Sequence, residues 1–392
     1  MLKIRFMKFL GVGVAIIEWY DTSVCISLGT ILSEVFLPPQ TKELTFIFSL
    51  YFLTINHLGR PIGAFLFGKY SDEFNRLHST KLAFIIMIAS SFILALLPTY
   101  EQIGVFATFL FFLLRFVQGI AIGGNYTTSV YSIEQAEDNE KNYISSLICI
   151  GIIAGFLIGN ATIGLINYYC SKEFIKIYAW RIALLGSFVL SIPILLNFPK
   201  HMKKIKKEKS IQKIPIKKFI ITCLILLIDI IPFYIFFNFL PNYKISCLSQ
   251  EESNIWFKNS ISMFVIMILT PLTGILADKV GSKTILYTTT FSLLLISFFS
   301  PWEHFIWNII LGINMALCYG SLYGWLALKF PSNIRAQTSG LALNVTASGS
   351  NIIIPLLAPF FTQKPYLIGH FLFLTSCVIL ISLFLDENEN AN

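Results

Sequence analysis

Four ionisable side chains, Glu18, Asp21, Arg115 and Asp229, fall deep inside long apolar runs of this 392-residue chain. Glu18 and Asp21 follow the run from Phe9 to Ile17 and precede another that continues to Leu32. At about 1.5 Å of rise per helical residue they lie roughly 14 and 18 Å into that stretch. Arg115 and Asp229 sit at comparable depth in theirs, and His57 and Arg60 occupy the inner half of the run between 44 and 67. An ionisable group near the centre of a bilayer costs at least about 2.5 kcal/mol, so it faces a cavity, finds a partner or changes protonation. Glu18 and Asp21, spaced i,i+3, share one helix face. Two carboxylates close together in a low dielectric do not both ionise easily, so one of them holds a proton. That is the chemistry of proton coupling. The competing expectation is a static network in which Glu18 and Asp21 neutralise Arg60 and Arg115.

Lesser polar groups accompany these charges. Gln118 is one turn from Arg115 and shares its face. Asn125, Asn314, Asn344 and Asn351 lie within apolar stretches, where a single asparagine is most often interhelical glue. Tyr319 is a candidate cavity residue, although packing accounts for most aromatics in a chain with 37 Phe. Gly151, Gly155 and Gly159 form a small-xxx-small ridge that predicts close helix packing. The seven cysteines include no CxxC pair, and no HExxH, GxSxG or Walker loop is present. These patterns exclude the common zinc, acyl-transfer and nucleotide enzymes, and no metal or cofactor is expected.

The elements that must position these groups follow from composition. The chain is 55% hydrophobic and 13% charged, with a mean hydropathy of +0.72. Soluble domains average about 25% charged residues, so this is an all-α membrane protein. Continuous apolar stretches, rather than ten-residue alternations, exclude a β-barrel. Hydrophobic runs bounded by charge, Pro and Gly predict twelve spans, near 9–32, 44–67, 82–98, 103–127, 143–168, 179–198, 218–240, 257–277, 284–300, 304–328, 336–360 and 364–385. Lys3, Arg5 and Lys8 resemble the start of a signal peptide, but no small-residue cleavage site follows, so the first span is expected to be retained.

With both termini on one side, 20 of the 29 Lys and Arg fall on that side, seven on the other and two inside spans. The positive-inside rule makes that side cytoplasmic. Nine lysines lie between Lys200 and Lys218 and read as a cytoplasmic loop, compatible with contact to anionic lipid and not as a nucleic-acid site. The expected organisation is an N-terminal six-helix bundle (1–198), a basic linker (199–217), a C-terminal six-helix bundle (218–385) and a short cytoplasmic tail (386–392). The halves echo each other: Gly68-x-x-x-Asp72 closes the second span and Gly274-x-x-x-Asp278 the eighth. Parallel repeats of six helices are an arrangement of secondary transporters.

These residues resemble the major facilitator superfamily, and within it the metabolite:proton symporters that include proline/betaine and α-ketoglutarate permeases. The resemblance covers nearly the whole chain. It rests first on Glu18-Trp19-Tyr20-Asp21 with Phe36 and Pro38, then on Arg60-Pro61-Ile62-Gly63 running into Phe67-Gly68 and Asp72. Arg115-x-x-Gln118-Gly119 with Gly123-Gly124 and Glu134 is similar to the family's fourth span. Weaker echoes are Trp180-Arg181-Ile182, Gly274 to Lys283, Tyr319-Gly320, Phe330-Pro331 with Arg335, and Asn344.

The resemblance implies the twelve-helix fold of that superfamily, proton symport and alternating access, with no enzymatic activity. Its implied site has Glu18 and Asp21 as proton carriers, Arg115 setting their protonation or meeting a substrate carboxylate, and Arg60 pairing within the N-terminal half. Gln118, Asn125, Asp229, Tyr319 and Asn344 complete the expected charge partners and cavity. Gly68, Asp72, Arg76, Gly274 and Asp278 are the expected cytoplasmic gate. The expected partners are protons, the lipid bilayer and a small polar organic solute, zwitterionic or carboxylate, taken up across a bacterial-type inner membrane. The loop motif departs from the family's pattern at Glu73, Asn75 and Leu77-His78. A non-transporting membrane sensor or interaction protein on the same fold is the alternative that those departures raise.

Overall fold

Hydrocarbon offers backbone groups no hydrogen bonds, so an apolar chain crossing it must satisfy them internally as helices. The structure, a computed structural model, describes residues 2–38, 42–198, 213–246, 252–298 and 305–391. The described residues are helical throughout their ordered elements, without strands. Twelve long helices appear among them. In chain order they are α1 (Leu2–Ser27), α2 (Lys42–Glu73), α3 (Arg76–Leu96), α4 (Val105–Glu134), α5 (Lys141–Tyr169) and α6 (Trp180–Leu196). The second six are α7 (Ile216–Tyr234), α8 (Glu252–Val280), α9 (Ser282–Ser297), α10 (Phe305–Leu328), α11 (Arg335–Gln363) and α12 (Leu367–Ala391). The twelve expected spans therefore correspond one to one with helices.

Among the described residues, nine helices are long and apolar enough to cross a membrane. The other three are α9, which has 16 residues, and the more polar α2 and α11. α11 carries Gln337, Asn344 and Asn351 along its length. The segment read as a tail continues α12 to Ala391, and its Asp386 is fully buried. Lysines 200, 203, 204, 206, 207 and 209 of the expected basic linker lie outside the described residues.

The chain divides into two compact units. One comprises 1–132 and 151–208, the other 133–150 and 209–392, so the first ten helical residues of α5 belong with the second unit. In the first unit, glycine sets which helices touch. A Cβ on Gly155 would lie 2.3 Å from the Ile16 carbonyl oxygen, and one on Gly151 would lie 2.6 Å from that of Val12. The predicted ridge is thus the surface on which α1 lies against α5. On the opposite pairing, a Cβ on Gly63 of α2 would meet the Ile120 oxygen of α4 at 1.7 Å, and one on Gly123 would meet the Arg60 oxygen at 2.0 Å. Backbone contact of this kind brings α2 and α4 together, and with them Arg60 and Arg115.

Two apolar clusters fill this unit. One gathers Leu10, Val14, Ile17, Phe84, Met87, Ile122 and Phe198. The other gathers Val24, Leu28, Phe36, Leu94, Phe111, Trp180 and Leu184. Between the stretches of α1, α3 and α4 that feed the two clusters lie buried or part-buried polar residues: Glu18 and Asp21 on α1, Ser91 on α3, Arg115 and Gln118 on α4. In the second unit α10 packs against α8 and α9, and α7 packs against α10, α11 and α12.

Candidate functional site

The polar layer of the first unit is built around Gln118. Its Nε2 donates to Asp21 Oδ2 at 2.6 Å and to Ser91 Oγ at 2.7 Å, while its Oε1 accepts from Arg115 Nη1. Both N–H groups of the amide are used and its oxygen accepts from a guanidinium, which sets its orientation. Arg115 Nη1 stands 3.7 Å from Asp21 Oδ2 and also reaches Cys25 Sγ at 3.1 Å. Asp21 is 1% exposed, and its Oδ1 has no hydrogen-bond partner among the described residues. A buried carboxylate with one oxygen committed and the other open has room for a proton.

Glu18 lies one turn away on α1 and finds a different partner. Its Oε2 accepts from Asn125 Nδ2 at 3.4 Å, and the same amide contacts Met87 Sδ at 3.2 Å. The expected shared face is present, since both acids turn toward α4. Their partners Gln118 and Asn125 are two turns apart, which fits antiparallel helices. Arg60, buried on α2, donates from Nε to Asn56 Oδ1 at 3.2 Å and acts electrostatically on Glu18. The layer thus balances two acids against two guanidinium groups between apolar plugs, where charges interact strongly.

In the second unit, Asp229 of α7 is 4% exposed and its Oδ2 accepts from the Tyr323 hydroxyl at 2.9 Å. Tyr319, one turn earlier on α10, stacks at a tilt on Tyr323 with ring centroids 6.2 Å apart. Sequence reasoning placed Tyr319 but missed Tyr323, although the i,i+4 spacing would have found it. Asp229 was expected among the charge partners and cavity residues, and the partner the structure gives it is a phenol. Asn344 turns its amide back to the Gly340 carbonyl of its own helix at 2.8 Å, and so joins neither cluster. Asn314 binds the Thr289 carbonyl at 3.0 Å, tying α10 to α9 as interhelical glue.

The loop-motif residues meet helix ends. The first N–H groups of a helix have no partner within it, and Asp278 supplies one for α5. Its Oδ1 accepts from Asn142 N and Nδ2, each at 2.9 Å, and its Oδ2 accepts from Tyr143 N at 2.9 Å. Negative charge is favoured there by the helix dipole. Gly274, one turn before Asp278, explains the motif's spacing. A Cβ on it would sit 2.6 Å from Ser146 Oγ and 3.0 Å from the Asn142 oxygen. Glycine lets α8 close on α5, and the acid on the same face then caps it. Nearby, Glu134 pairs with Arg335 at 2.8 Å.

In the first unit Asp72 instead binds Arg76 at 2.7 Å, and both are buried. Asn75, a departure from the family pattern, accepts from His78 N at 3.0 Å and caps α3. In the second unit, Asp386 pairs with Lys283 at 2.9 Å and with Lys329. No local signal in the sequence announced that cluster.

The family model described as Major Facilitator Superfamily matches residues 10–355. The chain belongs to the major facilitator superfamily. It is 25% identical to the glycine betaine/proline/ectoine/pipecolic acid transporter of Dickeya dadantii (strain 3937), over 95% of this chain and 81% of that protein. It is 24% identical to the proline/betaine transporter of Escherichia coli (strain K12), over 88% of this chain and 75% of that one. Among solved structures it is similar to the proton:xylose symporter XylE bound to 6-bromo-6-deoxy-D-glucose, with a TM-score of 0.79 at 16% identity, covering 97% and 94% of the two chains. A bacterial homologue of the iron transporter ferroportin in its outward-facing state gives a TM-score of 0.70 at 12% identity over 98% and 99%. These structural likenesses concern the fold alone. This superfamily member is a multi-pass membrane transporter and not an enzyme.

Proposed function

We propose that this transporter takes up a small polar organic solute of the proline/betaine or carboxylate kind together with protons, by alternating access. The observation that carries the reading is the buried polar layer of Asp21, Gln118, Arg115 and Ser91 beside the partly buried Glu18, with Asn125 and Arg60. Coupling follows from charge balance in that layer. With both acids ionised, two carboxylates offset two guanidinium groups. A proton on Asp21 cancels its attraction for Arg115 and leaves the layer one positive charge in excess. A solute carboxylate then restores balance by pairing with Arg115, which can bind it through two parallel N–H bonds. Proton and solute each make room for the other, so neither is expected to load alone.

The solute class is supported by the relatives' names, and direction of transport by the family resemblance. Asp278 capping α5 supports a working cytoplasmic gate and favours transport over a non-transporting role. The surplus of Lys and Arg on one side supports cytoplasmic termini in a bacterial inner membrane. The test is proton-driven uptake of labelled proline, betaine and dicarboxylates into vesicles carrying the wild type or Asp21→Asn. The variant is expected to lose concentrative uptake of whichever solute the wild type accumulates. Undiminished accumulation in Asp21→Asn rejects the coupling assignment.

A further inference from the structure

The acids of the two units differ in how they are compensated. Asp21 and Glu18 have Arg115 and Arg60 for countercharge. Asp229 is equally deep in its unit, yet among the described residues it forms no ion pair. Its surroundings are apolar or neutral: Ile225, Leu226, Ile228 and Ile231 on its own helix are buried, and Pro232 follows one turn on.

The titratable groups near it can be named element by element. From α10 come Tyr323, whose hydroxyl donates to it at 2.9 Å, together with Tyr319 and Cys318. From α5 comes Cys149, whose Sγ contacts the Tyr319 carbonyl at 3.6 Å. α11 carries no charged residue after Arg335, which is engaged with Glu134. α12 offers His370, bonded to its own Tyr366 carbonyl, Cys377, and in its last turns the acids Asp386, Glu387 and Glu389, of which Asp386 is paired with Lys283 and Lys329. None of these is a cation beside Asp229.

A bare carboxylate in such a place costs far more than the phenol bond returns, and a buried group in that position neutralises. We propose that Asp229 is a second proton-binding site, held in the C-terminal unit by Tyr323 and separate from the carboxylates of α1. When Asp229 is protonated, Tyr323 O–H donates to the carbonyl oxygen of the acid. When the proton leaves, the same donor, with Tyr319 beside it, is what remains to stabilise the anion. The inference rests on the proton-coupled reading for its physiological use, but the site itself is tested without any solute.

The experiment is infrared spectroscopy of the purified full-length protein in lipid nanodiscs, titrated with pH. The wild type is expected to show the carbonyl stretch of a protonated, buried carboxylic acid. Asp229→Asn should remove that component, and Tyr323→Phe should shift it to higher frequency through loss of the phenol donor. The component should survive in Glu18→Gln/Asp21→Asn. A band unchanged in Asp229→Asn, or one lost only in the double variant, overturns the inference. Should Asp229→Asn fail to fold, Tyr323→Phe decides alone, and an unshifted band then refutes the site. Failure of the uptake test on Asp21→Asn leaves this result untouched, so the two readings fail separately.

Discussion

Replacing Asp278 by Asn tests the cap on α5 at the level of individual amides. In the wild type its two oxygens take three hydrogen bonds from Asn142 and Tyr143 at the start of α5, each 2.9 Å long. A charge at a partly buried helix N-terminus is worth up to about 2 kcal/mol, and a hydrogen bond to a charged group about 1.5–3 kcal/mol. Asparagine keeps the shape but removes the charge and turns an N–H₂ donor toward one of the backbone donors. A loss of about 2–3 kcal/mol follows, which at about 1.4 kcal/mol per decade is roughly 30- to 150-fold in the equilibrium between capped and uncapped α5. Hydrogen exchange reads this directly, because those two N–H groups have no partner within α5. Peptides covering 141–146 should lose protection by that factor in Asp278→Asn, while peptides from the middle of α5 stay protected. Unchanged protection at 141–146 in a folded variant would refute the claim that Asp278 holds this helix end.

Two further substitutions probe how the units are assembled. Gly63→Ala places a Cβ 1.7 Å from the Ile120 carbonyl oxygen, so α2 and α4 must separate at an expected cost of about 1–3 kcal/mol; thermal unfolding in detergent should show it, whereas Gly164→Ala, with nothing within 4 Å, should leave the midpoint unchanged. Asp386→Asn strips the countercharge from Lys329, whose side chain is 4% exposed, and should destabilise by about 3–5 kcal/mol. The double variant Asp386→Leu/Lys329→Met should recover most of that loss, and equal stability of the wild type and Asp386→Asn would show that the pair holds nothing.

Much of the architecture was legible in the amino-acid order because hydropathy and helical spacing are properties of neighbouring residues. The twelve spans, the misplaced charges of α1, α4 and α7, the glycine ridge of α5 and the paired Gly-x-x-x-Asp motifs all belong to that class. Which groups meet was decided by tertiary structure. Asp21 reaches Gln118 across 97 positions, Asp278 reaches Asn142 across 136, and Glu134 reaches Arg335 across 201. The partner of a buried charge depends on which helices touch and at what height, and that is set by backbone approach at glycines such as Gly63, Gly123 and Gly155. Spacing along one helix could therefore foresee that Glu18 and Asp21 share a face. It could not foresee that Gln118 would bridge Asp21 and Arg115, that Asp229 would meet a phenol on α10, or that the last turns of α12 would be pinned by Lys283 and Lys329.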